Sequence, residues 1–232
     1  MNRPYPPPSL LTQADFTMRL SPAPEVWEWL QAETLADTGS IHNEDHAHLL
    51  DADIQVMWAS SCFEKQGRTV LGQAEQVAFR AGGWQKARME QQMRDWFGDV
   101  PAYIITLAAE YCAQCSDIDF CALVEHELMH IAQARDQYGQ PKFTKDGMPK
   151  LELRGHDVSE FVAIVERYGV GAPDSDVARM VDAAKKTPSV NRASIASACG
   201  TCLLRAVLWK SNGSRSATGR ITRSAPTVVS SD

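Results

Sequence analysis

The chain has 232 residues, of which 44% are hydrophobic and 22% are charged, as in an ordinary soluble globular domain. No apolar run approaches the length of a membrane span, so we expect no contact with the membrane interior. The net charge is −6 and is unevenly spread. The segment from Pro188 onwards carries six basic residues and one acid, which is +5, so the residues before it carry −11. This acidic body argues against tight nonspecific nucleic-acid binding, although the basic tail would allow a weak contact.

The start of the chain does not predict export, because Pro6, Pro7 and Pro8 stand where a signal peptide needs an apolar stretch. We therefore expect a cytoplasmic protein. In that compartment the cysteines are expected to be reduced thiols or metal ligands rather than disulfides. The six are Cys62, Cys112, Cys115, Cys121, Cys199 and Cys202.

Residues 1–49 predict an N-terminal extension with one helix. Residues 1–22 are rich in proline and are predicted to be irregular. Pro24–Ala36 carries apolar residues at helical spacing, with a proline near its start, and predicts the helix. Residues 37–48 are polar and predict a solvated loop rather than a metal site. This loop contains His42, His46 and His48.

The next residues predict a small sheet and a helix. Residues 52–59 alternate between apolar and polar, which is typical of a strand. Residues 68–74 are a second candidate strand, which a turn at 64–67 would pair with the first as a hairpin. A helix is predicted at 84–97, and a further alternating strand at 102–111.

Ser116 begins the segment that carries the chemistry. With Asp119 three residues later it resembles a capping box, and the apolar stripe behind it predicts a helix to about Asp136. Residues 140–154 predict a hairpin whose turn is Lys145-Asp146-Gly147. Two further helices are predicted at 157–169 and 174–186, and the composition after residue 210 predicts disorder.

Residues 126–130 read His-Glu-Leu-Met-His, an HExxH motif on the predicted helix. Residues four apart lie on one helical face, so His126 and His130 can both bind one zinc ion, Zn2+. Glu127 is then predicted to be the general base on zinc-bound water, whose pKa the metal lowers towards about 7. This pattern is typical of zinc-dependent peptide hydrolysis.

Catalytic zinc sites usually have three protein ligands, so a third must come from elsewhere. Gln133 and Asp136 stand where a metzincin needs Gly and His. His156 is the favoured third ligand, because it stands just before a predicted helix. Glu160 is the second candidate, although its spacing from Asp157 also fits a capping box. Asp136 and Asp157 are further alternatives.

Two cysteine pairs also have the spacing of zinc ligands. They are Cys112-Ala-Gln-Cys115 and Cys199-Gly-Thr-Cys202, which together could hold a structural zinc. We favour four separate thiols, because the pairs lie far apart in the sequence. A redox role is not predicted, since no thioredoxin-like βαβ pattern surrounds either pair.

The order of these motifs resembles the family of putative phage metallopeptidases, which are similar in turn to the SprT-like zincins. The resemblance extends from about Asp51 to Gly171. It implies a zincin-like α+β fold, a bound zinc, a polypeptide substrate and, for a phage protein, the host cell cytoplasm. The matching residues are His126, Glu127, His130, His156, Phe161 and Arg167-Tyr168-Gly169, with Trp58 and Val70-Leu71-Gly72 also family-like.

We therefore predict an α+β fold in which residues 50–172 form a zincin-like metallopeptidase domain, with a small twisted sheet packed on the HExxH helix. A C-terminal helical segment at 173–210 and a flexible tail at 211–232 follow. The predicted activity is that of a zinc metallopeptidase, with residues 103–111 as the strand on which an extended substrate pairs.

Several questions stay open at this point. The candidates for stabilising an oxyanion are Tyr138, Arg167 and Tyr168. One alternative function is a non-catalytic zinc-binding structural or interaction protein of phage origin. A second is a protease that acts on DNA-bound proteins.

Overall fold

The computed structural model describes residues 2–12, 17–65, 68–158, 165 and 169–191. Within them the fold is a mixture of α-helices and small β-sheets, which agrees with the predicted α+β class. The α-helices are α1 (Pro8–Leu11), α2 (Pro24–Leu30), α3 (Gly83–Phe97), α4 (Ala109–Cys112), α5 (Asp117–Met129) and α6 (Asp176–Ala184). The strands are β1 (Leu20–Pro22), β2 (Ile54–Ala59), β3 (Phe63–Lys65), β4 (Arg68–Val70), β5 (Gly72–Gln76), β6 (Tyr103–Ala108), β7 (Ile131–Gln133) and β8 (Leu151–Leu153).

Several predictions fall outside the described residues. They are most of the helix at 157–169, the tail, and the side chains of Glu160, Phe161, Arg167, Tyr168, Cys199 and Cys202. The helices predicted at 84–97 and 174–186 are confirmed by α3 and α6. The predicted helix at 24–36 is confirmed as α2, which continues as a π-helical turn over Gln31–Leu35. The division into domains stays a prediction.

The main sheet has four strands in the order β1-β2-β6-β5. β2 and β6 are parallel, with Ile54 opposite Tyr103, whereas β1 and β5 run antiparallel to their neighbours. The two central strands are buried almost throughout, as is typical of strands covered on both faces. β5 is therefore an edge strand of this sheet among the described residues.

One hydrophobic core joins the sheet to helices α2 and α5. Phe120 of α5 is fully buried, and its ring centroid lies 5.5 Å from that of Trp29 and 6.4 Å from that of Trp58. The indole N–H of Trp58 donates a hydrogen bond to Glu25 at 2.8 Å. Helix α2 thus packs on the same core as α5, the helix that carries the motif.

Replacing Phe120 by Ala is expected to lower the free energy of unfolding by about 3–5 kcal/mol, because the ring fills the centre of this core. Urea denaturation followed by circular dichroism measures the change. Phe143→Ala is the control, because Phe143 is 56% exposed and its loss leaves no internal cavity. Equal midpoints for the two variants would contradict this packing.

Three predicted elements differ from the structure in their extent or regularity. The motif helix ends at Met129 rather than near Asp136, because Ile131–Gln133 pairs with Leu151–Leu153 as a two-stranded arm. The strand predicted to reach residue 111 ends at Ala108, and the chain turns into α4. Residues 1–22, predicted to be irregular, contribute α1 and the edge strand β1.

The predicted hairpin between residues 52–59 and 68–74 is also wrong. β4 pairs with the short strand β3, whereas β2 pairs with β1 and β6. The turn predicted at Lys145-Asp146-Gly147 is present, and Gly147 has a φ of 81°, which favours glycine. Among the described residues, no helix has both the length and the apolar character needed to cross a membrane.

Candidate metal centre

Three histidine side chains converge at the C-terminal end of α5. His126 lies in its last turn, His130 is the residue that caps it, and His156 comes from the segment after β8. The Nε2 atom of His126 lies 3.3 Å from that of His130 and 3.0 Å from that of His156. The candidate ligand atoms of all three lie within 4.8 Å of one another. No other group of this kind occurs among the described residues.

The separation of these nitrogen atoms fits a zinc ion. Two nitrogens bound tetrahedrally at about 2.0–2.1 Å from zinc lie about 3.3–3.4 Å apart, close to the two distances observed here. Three imidazoles are also a donor set that catalytic zinc sites use, since they leave a fourth position for water or substrate. The residues present therefore suit the ion.

The backbone next to the site orients the ring of His130. Its Nδ1 lies 2.8 Å from the carbonyl oxygen of Arg154, and the main-chain N–H of Arg154 donates to the carbonyl of His130 at 2.9 Å. A carbonyl can only accept, so Nδ1 must carry the proton and Nε2 presents its lone pair towards the other histidines. This is the usual way in which proteins orient a histidine ligand.

Glu127 points from α5 towards the edge strand β5. Its side chain is 0% exposed, and Oε2 accepts a hydrogen bond from the main-chain N–H of Ala74 at 2.8 Å. A Cβ atom on Gly72 would lie only 2.8 Å from Oε1. The carboxylate is therefore enclosed between the motif helix and β5, and it is held by the backbone of that strand.

A cavity of about 930 Å³ lies over the three histidines. Its other walls come from the segment after residue 44, the β7–β8 arm and α6. Glu127 is not among the residues that line it. The lining includes Asp45, His46, Arg135, Glu152, Arg154 and Met180.

The other predicted ligands and oxyanion candidates lie elsewhere or outside the described residues. Asp136 accepts hydrogen bonds from the main-chain N–H groups of Tyr138 and Gln140, so its carboxylate closes a turn of the arm. Asp157 pairs with Arg154 at 3.2 Å. Tyr138 is 78% exposed and does not line the cavity, which argues against its predicted role.

The prediction that His42, His46 and His48 lie in a solvated loop is wrong for His46 and His48. Residues Glu44–Leu49 form a 3₁₀-helix, and His46 is only 1% exposed. Its Nε2 lies 3.7 Å from the carboxylate of Glu125, which also accepts from Asn43 at 2.7 Å. The nearby His46 ring, and then the hydrogen bond from Asn43, lower the pKa of Glu125. The segment is therefore ordered against the motif helix and forms one wall of the cavity.

Cys112 and Cys115 are free thiols at the start of the motif segment. A hydrogen bond between them raises the pKa of Cys112 and lowers that of Cys115. The buried Arg3 donates to both of their carbonyls at 2.9 Å and to Asp117 at 2.7 Å. Arg3 thus connects the N-terminal segment to the first turn of α5 and to the residues just before it. The prediction of four separate thiols, rather than a second zinc site, is not tested for the other pair, because Cys199 and Cys202 lie outside the described residues.

Three residues important for this geometry were not singled out for it by the sequence. The first is Arg154, which contacts the end of the motif helix and Asp157. The other two are Gly72 and Ala74, which lie against the carboxylate of Glu127. Only the family-like Val70–Gly72 segment gave a signal for any of them. Their roles depend on contacts between segments that lie far apart in the chain.

A mixed α/β fold with three converging histidines defines a candidate metalloprotein. The profile of the family described as Putative phage metallopeptidase matches residues 27–185. This range is more than half of the chain and includes the three histidines and Glu127, so the chain belongs to that family. Neither the curated proteins nor the solved structures that were compared gave a match.

Proposed function

We propose that the protein is a zinc-dependent peptidase, with His126, His130 and His156 as the metal ligands and Glu127 as the general base. The observation that carries the proposal is the convergence of the three imidazole Nε2 atoms. The match to the metallopeptidase family supports it. Metallopeptidases act on polypeptides, so a polypeptide is the proposed substrate. A zincin-like fold and a location in the host cytoplasm belong to the same proposal.

Zinc, when bound, supplies a Lewis acid that polarises the peptide carbonyl and makes a water molecule more acidic. The chain itself supplies the proton acceptor. We expect the carboxylate of Glu127, whose Oε2 accepts a hydrogen bond from Ala74, to accept the proton from the attacking water. The hydrogen bond from Ala74 keeps the carboxylate oriented during this transfer.

The predicted substrate strand must be replaced. β6, which covers most of the predicted residues 103–111, is paired on both sides, by β2 and β5, so it has no edge left for a peptide. β5 is an edge strand. The main chains of Leu71 and Val77, which flank it, bond to the β6 side, so by alternation those of Gln73 and Glu75 face β6 as well. We propose that an extended substrate lies along the opposite edge of β5, next to the strand residues that hold Glu127.

Gly72→Ala is expected to reduce peptide cleavage strongly while zinc stays bound. The new methyl group would lie 2.8 Å from Oε1 of Glu127, so the carboxylate must move, whereas the histidines do not touch this residue in the contacts described above. Turnover of an unfolded protein substrate and zinc content are the two measurements.

Gly82→Ala is the matched control, because a Cβ there meets no atom within 4 Å. It should cleave like the parent. If Gly72→Ala also cleaves like the parent, the position of the Glu127 carboxylate does not matter for the reaction, and its assignment as base is wrong.

The proposal differs from a purely structural zinc protein in one testable respect. A structural protein would bind zinc through the same histidines, but replacing Glu127 would not change its function.

A zinc-dependent peptidase is expected to cleave an unfolded polypeptide. This cleavage should stop when zinc is removed by a chelator and return when zinc is added back. A zinc-loaded chain that cleaves nothing would favour the structural alternative.

A further inference from the structure

Arg154 contacts both of the segments that bring the histidines together. Its Nε donates to the carbonyl oxygen of Met129 at 2.8 Å, and its Nη1 donates to the carboxylate of Asp157 at 3.2 Å. Met129 directly precedes His130, and Asp157 directly follows His156. The guanidinium group is therefore a bridge between the end of the motif helix and the segment that carries the third histidine.

The two groups that Arg154 contacts lie in different kinds of structure. The carbonyl of Met129 belongs to the last turn of α5, where carbonyl groups lack helical partners and a cation is favourable. Residues 155–158 belong to no helix or strand, so the position of His156 is not set by a regular element. Arg154, through Asp157 and Met129, connects this irregular segment to the end of α5.

The main chain of Arg154 has a separate task. Its N–H and carbonyl both bond to His130, and these bonds do not depend on which side chain residue 154 carries. Replacing the side chain therefore leaves the orientation of His130 in place. Any loss of metal affinity must then come from the helix end or from His156.

We propose that Arg154 is a positioning residue that holds His156 in place for metal binding. The inference rests on the proposed ligand set, not on peptidase activity. The Arg154–Asp157 pair is too exposed, at 40% and 58%, to contribute much to the stability of the fold. Residues that orient metal ligands typically change metal affinity by about 10–100-fold when they are replaced. The effect should therefore appear in zinc affinity rather than in unfolding.

The test is zinc affinity, measured by competition with a chromogenic chelator, in a double-mutant cycle. Arg154→Gln is expected to bind zinc about 10–100-fold more weakly than the parent. The matched control is Arg135→Gln, because Arg135 lines the same cavity but donates to Gly139 within the arm. The control should bind zinc like the parent.

The cycle is completed by His156→Ala and by the double variant. If Arg154 acts through His156, the Arg154→Gln change should cost no further affinity once His156 is gone. An equal loss in both backgrounds would overturn the proposal, since Arg154 would then act on the helix end alone. Parent-like affinity in Arg154→Gln, or in His156→Ala, would overturn it as well.

Arg154→Lys keeps the test informative if the glutamine variant does not fold. A lysine retains the charge at the helix end but cannot donate to both Met129 and Asp157 in the same fork geometry, so zinc affinity should again fall. Urea unfolding of the zinc-free variants should remain close to that of the parent. Since no cleavage is measured, a chain that binds zinc in this way without peptidase activity would still support the inference.

Discussion

Replacing His126 or His130 by Ala is expected to lower zinc affinity by orders of magnitude, because each change removes one of three ligands. His126→Ala is the cleaner variant, since its ring is half-buried. His130 is buried and its Nδ1–H bonds to the carbonyl of Arg154, so its loss also removes a hydrogen bond that connects the motif helix to the segment of His156.

Competition with a chromogenic chelator measures the affinity, and urea unfolding of the zinc-free chains separates ligand loss from misfolding. His42→Ala is the control, because His42 faces Asp37 at 3.9 Å and does not line the cavity. It should bind zinc like the parent. A folded variant lacking both His126 and His130 that retains full zinc occupancy would show that the metal binds elsewhere.

Glu127→Gln is expected to keep zinc and fold but to lower turnover by about 10²–10⁴-fold, the usual contribution of a general base. The amide oxygen of glutamine can still accept the hydrogen bond from Ala74, so the packing between α5 and β5 is preserved. The amide cannot take up a proton from water. Cleavage of an unfolded protein substrate is the measurement.

Glu152→Gln is the control for this variant, because Glu152 lines the cavity and is exposed. Its turnover should resemble that of the parent. Parent-like cleavage by Glu127→Gln would mean that another residue or a contaminating protease is responsible. Unlike the histidine variants, Glu127→Gln separates catalysis from metal binding.

The local parts of the fold could be predicted from the sequence. Ser116 accepts a hydrogen bond from the main-chain N–H of Asp119 at 3.1 Å, so the cap of the motif helix follows from two residues three apart. The spacing of His126 and His130 on that helix is equally local. Both properties depend only on helical geometry, which is why the spacing was sufficient.

The end of the motif helix could not be read in this way. Ile131 is fully buried, and a buried apolar residue fits the stripe of a continuing helix as well as the inner face of a strand. What ends the helix is pairing with residues 151–153, some twenty positions later, and no Gly or Pro marks the change. Pairing partners at that distance are not encoded in a local pattern.

The burial of Glu127 and His46 could not be predicted for a related reason. A polar residue is expected at the surface unless a partner is known, and both partners come from distant segments. Ala74 of β5 bonds to Glu127 of α5. Glu125, also of α5, lies next to His46 of the 3₁₀-helix. The three histidines were nevertheless predicted as a set, because imidazole side chains in an HExxH pattern call for a third donor and His156 was the best available.

The most direct test of the account is the X-ray absorption spectrum at the zinc edge of the full-length chain loaded with one equivalent of zinc. The proposed site predicts nitrogen or oxygen scatterers at about 2.0–2.1 Å, with the outer-shell pattern of about three imidazoles. Sulfur scatterers at about 2.3 Å would place the ion on cysteines instead. That result, or a chain that binds no zinc, would contradict a metal centre built from His126, His130 and His156.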